Sequence, residues 1–119
     1  SDYNKDEAKW LKISEFFLNS KDSLKLISKE ERSDLMMAAC LILEEDSYHN
    51  GIKCNYLTML YQIALLDSIS LEECWQIYWI ITRNLFENSD LKLLTGNLRN
   101  LYEHIFIRNS FTNITSTRL

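Results

Sequence analysis

A chain of 119 residues with no proline and only two glycines, Gly51 and Gly96, lacks the two residue types that most often interrupt helices. Ordinary usage at this length would supply about six prolines and about eight glycines. Proline breaks the amide ladder of a helix, and glycine provides the positive-φ positions that tight strand turns need. Leucine and isoleucine also recur at three- and four-residue steps. The sequence therefore predicts an all-α fold, a compact single-domain helical bundle of about six to seven helices joined by short connections. The domain is expected to span residues 1–109. Residues 110–119, rich in Ser, Thr and Asn, read as a flexible C-terminal tail in which Phe111 or Ile114 can dock.

With 46% hydrophobic and 25% charged residues, the chain can bury a core and falls outside the disordered class. Cys40, Cys54 and Cys74 are odd in number, widely spaced and form no CxxC pair. They read as reduced, mostly buried thiols in a reducing cytosol. The sequence opens on polar and acidic residues, and its longest apolar run, residues 35–43, is half the length of a membrane span. These features predict a cytoplasmic protein with no membrane partner. Asn113-Ile114-Thr115 matches a glycosylation sequon, a triplet common enough by chance to carry little weight.

The net charge of −4 is unevenly spread. Residues 1–46 carry seven Lys/Arg against eleven Asp/Glu, residues 47–90 two against five, and residues 91–119 four against one. Phosphate backbones attract cationic surfaces, so this pattern disfavours nucleic acid and suits a basic protein partner. Ordinary solubility explains it as well. Arg99, Arg108, Arg118 and Lys92 make the C-terminal stretch basic and read as solvated charge.

Helical spacing places a first helix over residues 4–18, with Trp10, Ile13 and Phe17 on one stripe, and a short helix after Ser20. Ser28-Lys29-Glu30-Glu31 is a capping box opening a helix to residue 45 that is apolar on nearly all sides. After the loop 46–51, Asn55 is expected to cap a helix over 56–67. Ser70-Leu71-Glu72-Glu73 is a second capping box, opening a helix that carries Trp75, Tyr78 and Trp79. A short piece over 91–95 is expected to end at Gly96, followed by a last helix over 97–108.

Shifting the chain by 42 positions aligns both capping boxes and gives ten identities in forty compared positions. Chance gives about two or three. Two stacked helical hairpins explain this echo, as does the convergence of capping residues.

The densest polar cluster is Glu44, Glu45 and Asp46 with Tyr48 and His49. Three carboxylates, a phenol and an imidazole suit the lysines and arginines of a basic partner. A solvated helix end is the plain alternative. Tyr78 and Trp79 are the aromatic residues expected at the rim of such a contact. With only His49 and His104, no zinc-like ligand set can be assembled, and His49 with Asp46 lacks a nucleophile to serve. No cofactor, metal or catalytic residue is predicted, and the chain reads as a non-enzyme.

In composition the chain is similar in type to small bacterial immunity proteins, with no motif shared. The expected function is a protein-binding inhibitor of the immunity or antitoxin type, covering the active site of a basic toxin or nuclease domain. The alternatives are a viral or host-directed Bcl-2-like helical interaction protein, or a small enzyme in which Cys54 is the reactive thiol.

Overall fold

Ser28 and Ser70 each hold extended backbone immediately before a helix, and each closes the box its sequence announces. Ser28 Oγ accepts from the Glu31 amide at 3.1 Å while Glu31 Oε1 accepts from the Ser28 amide at 3.0 Å. At Ser70 the same two bonds, with Glu73, measure 3.1 and 3.2 Å. This computed structural model describes the backbone of residues 2–88, 90–91 and 95–118, and the side chains of 5–88, 90–91 and 99–110. The helices are α1 (Asp2–Asn19), a 3-10 helix (Lys21–Leu26), α2 (Lys29–Glu44), α3 (Asn50–Ala64), α4 (Leu71–Glu87) and α5 (Thr95–Arg118). No strand occurs among the described residues. The protein is an all-α single-domain bundle. No helix among the described residues is long and apolar enough to cross a membrane.

Two sets of contacts give the topology. Arg32 meets Glu73 near the starts of α2 and α4, while Cys40 and Glu44 share a cleft with Ile80, Arg83 and Glu87 near their ends. The two helices therefore lie parallel. Arg108 meets Cys74 and Tyr102 meets Tyr78, so α5 runs antiparallel to α4. α3 packs on both α2 and α4, and also touches α5. This is a stack of two hairpins, α2–α3 and α4–α5, with α1 laid against α2. It is the geometry in which residues 42 apart become structural equivalents. The radius of gyration, 15.1 Å, exceeds the about 13.5 Å expected of an equally long globule, as stacking along one axis requires.

The core runs through the stack: Leu35, Leu57, Leu60, Ile63, Ile77, Leu101 and Ile105 are all sealed from solvent. Ser14 sits among them. Its hydroxyl donates to the Leu11 carbonyl at 2.7 Å, so the 2.6 Å contact with Tyr56 is one in which the phenol donates to Ser14 Oγ. Burial holds the Tyr56 phenol above its usual pKa.

Several expectations from sequence are corrected. α2 is not apolar-packed all round, because Met37 opens to solvent while Leu35, Ala38, Ala39, Ile42 and Leu43 are buried. Asn55 caps nothing: α3 begins at Asn50 behind His49, and Asn55 is exposed within it. Ser20 occupies the N-cap position of the 3-10 helix, but its hydroxyl bonds Ser23 Oγ instead of a backbone amide. Both glycines lie in first turns, Gly51 in α3 and Gly96 in α5, and the described backbone contains no positive φ. Glycine keeps its amide hydrogen, so in a helical turn it costs conformational entropy and no hydrogen bond. The piece expected over 91–95 falls largely on residues outside those described. α5, Thr95–Arg118, extends beyond the 97–108 expected of the last helix. Arg108 is half-buried rather than solvated, donating to the Ile69 carbonyl at 2.7 Å and to Cys74 Sγ at 3.3 Å. Cys74 is sealed, while Cys40 and Cys54 are half-buried, and all three thiols are free.

Candidate interaction surface

Because α2 and α4 are parallel, both end at the same pole of the bundle. Glu44 closes α2, Glu87 closes α4, and Glu45, Asp46 and Asp90 follow them. All five carboxylates are exposed. Among the described residues, Lys53 and Arg83 are the cations beside them. The negative C-terminal ends of α2 and α4 share this pole with the positive starts of α3 and α5, so the helix dipoles largely offset one another. The acidity of this pole therefore comes from its side chains.

The loop joining α2 to α3 turns tightly, with the Tyr48 amide donating to the Glu45 carbonyl at 3.4 Å. That turn divides the predicted cluster. Glu44 and Asp46 line a cleft of about 330 Å³ with Arg83, Asn84, Glu87 and Asn88 of the α4 end. Glu45 and Tyr48 face the other way, lining a hollow of about 320 Å³ with Glu7 and Leu11 of α1. His49 is the N-cap residue of α3. Its carbonyl accepts from the Ile52 and Lys53 amides at 3.1 and 3.2 Å, and its imidazole makes no cap bond. Asn50, Asn88 and Asp90 lace the cleft edge together through bonds of 3.0 to 3.3 Å.

The aromatic residues divide as well. Tyr78 is half-buried and stacks edge-on against Trp75 and Trp79, with centroids 5.6 and 5.7 Å away, and lies tilted to Tyr102 of α5 at 5.8 Å. Trp75 is also half-buried. Trp79 is 61% exposed, and Phe86, seven residues on and on the same helix face, is 91% exposed. Arg83 lies between them and pairs with Glu87 at 3.5 Å. The apolar surface continues onto α5, where Tyr102, Phe106 and Ile107 line a hollow of about 390 Å³.

Glu44, Asp46 and the exposed face of α4 thus come together, Glu45 and Tyr48 sit around the corner toward α1, and Tyr78 is a half-buried bracket for Trp79. Sequence reading missed Phe86, Arg83, Tyr102, Phe106 and Ile107. Phe86 was legible: the buried residues Cys74, Ile77, Ile81 and Leu85 define one face of α4, and the 79–83–86 spacing falls opposite. The apolar run through residue 81 concealed it. Burial raises the Cys40 thiol pKa, with Glu44 adding to the effect. Among the described residues no cluster of His, Cys, Asp and Glu is placed to hold a metal ion.

Comparison of the chain with protein-family models, with curated proteins and with solved structures finds no match.

Proposed function

We propose that this protein is a binding inhibitor of the immunity or antitoxin type, whose acidic pole and adjoining aromatic face of α4 cover a basic toxin or nuclease domain. The observation that supports this reading most is the parallel alignment of α2 and α4. It places Glu44, Asp46 and Glu87 around one cleft, beside Trp79 and Phe86. Carboxylates accept charge-assisted bonds from lysine and arginine, and exposed aromatics supply the anchors on which interface energy concentrates. An aromatic side chain as exposed as Phe86 gains nothing from its own fold. Burial against a partner would recover about 2 kcal/mol of transfer free energy.

The reading of a helix taken into a groove, in the Bcl-2-like manner, has weaker support. Such a groove lies between helices, whereas the apolar hollow at Tyr102, Phe106 and Ile107 is lined, among the described residues, by α5 alone.

The test is capture of partners on the immobilised protein at low and at moderate salt, followed by assay of the purified partner. A basic protein retained at low salt, released as salt rises, and losing its toxic or nuclease activity at one equivalent of this chain agrees with the proposal. Recovery of only acidic or neutral proteins, or a basic partner whose activity is untouched, rejects it.

A further inference from the structure

Four charged side chains are buried among the described residues: Arg32, Asp34, Lys53 and Glu73. Arg32 and Glu73 satisfy each other at 2.7 Å, and Asp34 faces Lys9 at 3.8 Å. Lys53 is only 7% exposed and has no ion pair or hydrogen bond from its ammonium among the described residues. Withdrawing an ammonium from water without a counter-charge is unfavourable by several kcal/mol. The Lys53 nitrogen is not among the sealed, unpartnered polar atoms, so the covered part is its stem and the charge opens into the cleft at the acidic pole.

That cleft has an ordered lining. Leu43, Lys53 and Leu91 are buried and form its floor, Asn84 and Asn88 are half-buried along its side, and Glu44, Asp46, Arg83 and Glu87 are exposed at its rim. Arg83 is already engaged by Glu87. Asn84 gives its amide hydrogen to the Ile80 carbonyl at 2.7 Å, which leaves its oxygen as an acceptor. Among the described residues the interior thus offers one uncommitted cation at depth, carboxylates above it and two leucines. The volume, about 330 Å³, sits at the lower end of small-molecule sites.

We infer that the cleft binds a small zwitterion of the α-amino-acid class, with its carboxylate on Lys53, its ammonium toward Glu44 and Asp46, and its aliphatic part against Leu43 and Leu91. A phosphate group would satisfy Lys53 but meets three carboxylates at the rim, and an amine alone leaves Lys53 unpaired. A ligand carrying both charges answers both halves of the lining. This site goes beyond the protein-docking reading, since Lys53 lies beneath the surface that reading uses, and either can fail alone.

The experiment is a titration of the full chain followed through its backbone amide NMR signals, with L-leucine, propionate, butylamine and inorganic phosphate as probes. L-Leucine should shift the amides around Lys53 and Asn84 saturably, with propionate and butylamine each at least about tenfold weaker, a difference of about 1.4 kcal/mol. Lys53→Met should weaken L-leucine by about tenfold or more, and Lys53→Arg should restore most of it. Should Lys53→Met not fold, Asp46→Asn with Glu44→Gln serves instead, and should erase the preference for L-leucine over propionate. No saturable shift at tens of millimolar, phosphate or propionate binding as well as L-leucine, or substitutions without effect would each overturn the proposal.

Discussion

Arg32 and Glu73 form a two-pronged ion pair, Nε to Oε2 at 2.7 Å and Nη2 to Oε1 at 3.1 Å, that ties the start of α2 to the start of α4. Each partner does a second job. Arg32 Nη1 donates to the Ile27 carbonyl at 3.3 Å, and Glu73 closes the Ser70 capping box. The first hairpin's cap region is thereby bolted to the second's. The side chains are 6% and 9% exposed, so losing one charge strands the other. Arg32→Met should lower unfolding free energy by about 3–5 kcal/mol. Arg32→Met with Glu73→Gln should recover part of that loss, because glutamine still closes the box and carries no stranded charge. Urea denaturation of the three proteins measures both.

The same pair sets an acid limb of stability. Its hydrogen bond with Arg32 holds the Glu73 carboxyl below the usual carboxylate range. A depressed carboxyl pKa contributes stability above the unfolded value, about 4.3, and that contribution vanishes as pH falls through the folded value. His104 acts at higher pH. Burial, with Arg108 adding to it, lowers the imidazole pKa, and its Nε2 is sealed without a partner. The unfolded chain takes up that proton first, so stability should decline as pH drops below about 6.5. His104→Gln should flatten the limb that opens below about pH 6.5, and Glu73→Gln the limb that opens below about pH 4.3, in thermal melts across pH.

The buried Ser14–Tyr56 contact, at 2.6 Å, is a polar link between α1 and α3. Ser14→Ala leaves the Tyr56 hydroxyl sealed with no acceptor and should cost about 1–3 kcal/mol. Tyr56→Phe leaves Ser14 still donating to Leu11, so it should cost less, about 1 kcal/mol. Equal losses from the two substitutions in chemical denaturation would contradict the assigned donor direction.

Gly51 occupies the first turn of α3 without a positive φ, and a Cβ there would meet nothing within 4 Å. Gly51→Ala should therefore stabilise the protein by about 0.4–1 kcal/mol, chiefly by restricting the unfolded chain. A lower melting temperature for this variant would show that α3 does not begin where the structure puts it.

What could be read from the sequence follows the range of the interactions. The boxes at Ser28 and Ser70 are contacts between residues three apart, so sequence alone states both partners, and both formed. The start of α3 was misplaced because His49 and Asn50 carry no stronger cap signal than Asn55. The choice is made by burial of Lys53, Tyr56 and Leu57, which places the helix a turn and more earlier. The Arg32–Glu73 pair was illegible because its members are far apart in sequence. Its one local trace is that Arg32 is the sole cation of α2 after Lys29. Within α4 the 79–83–86 spacing marked the face opposite Cys74, Ile77, Ile81 and Leu85, but the run could not say which face α2, α3 and α5 would cover.

Trp79→Ser and Phe86→Ser separate that surface from the fold. Phe86 is 91% exposed and makes no core contact, so Phe86→Ser should change stability by less than about 0.5 kcal/mol. Both substitutions should nonetheless weaken capture of the basic partner by about tenfold or more, as interface anchors do. Stability is read by denaturation and affinity by calorimetry. A large loss of stability from Phe86→Ser would place that ring in the core and remove it from the docking face.

The most direct test of the proposed function is the association rate with the basic partner, measured by stopped flow at low and moderate salt for the native chain and for Glu44→Ala/Glu45→Ala/Asp46→Ala. Steering by the acidic pole predicts a native rate that falls steeply with salt, and a variant about tenfold or more slower at low salt whose rate converges on the native one as salt rises. Equal rates at low salt, or a native rate indifferent to salt, would contradict the account.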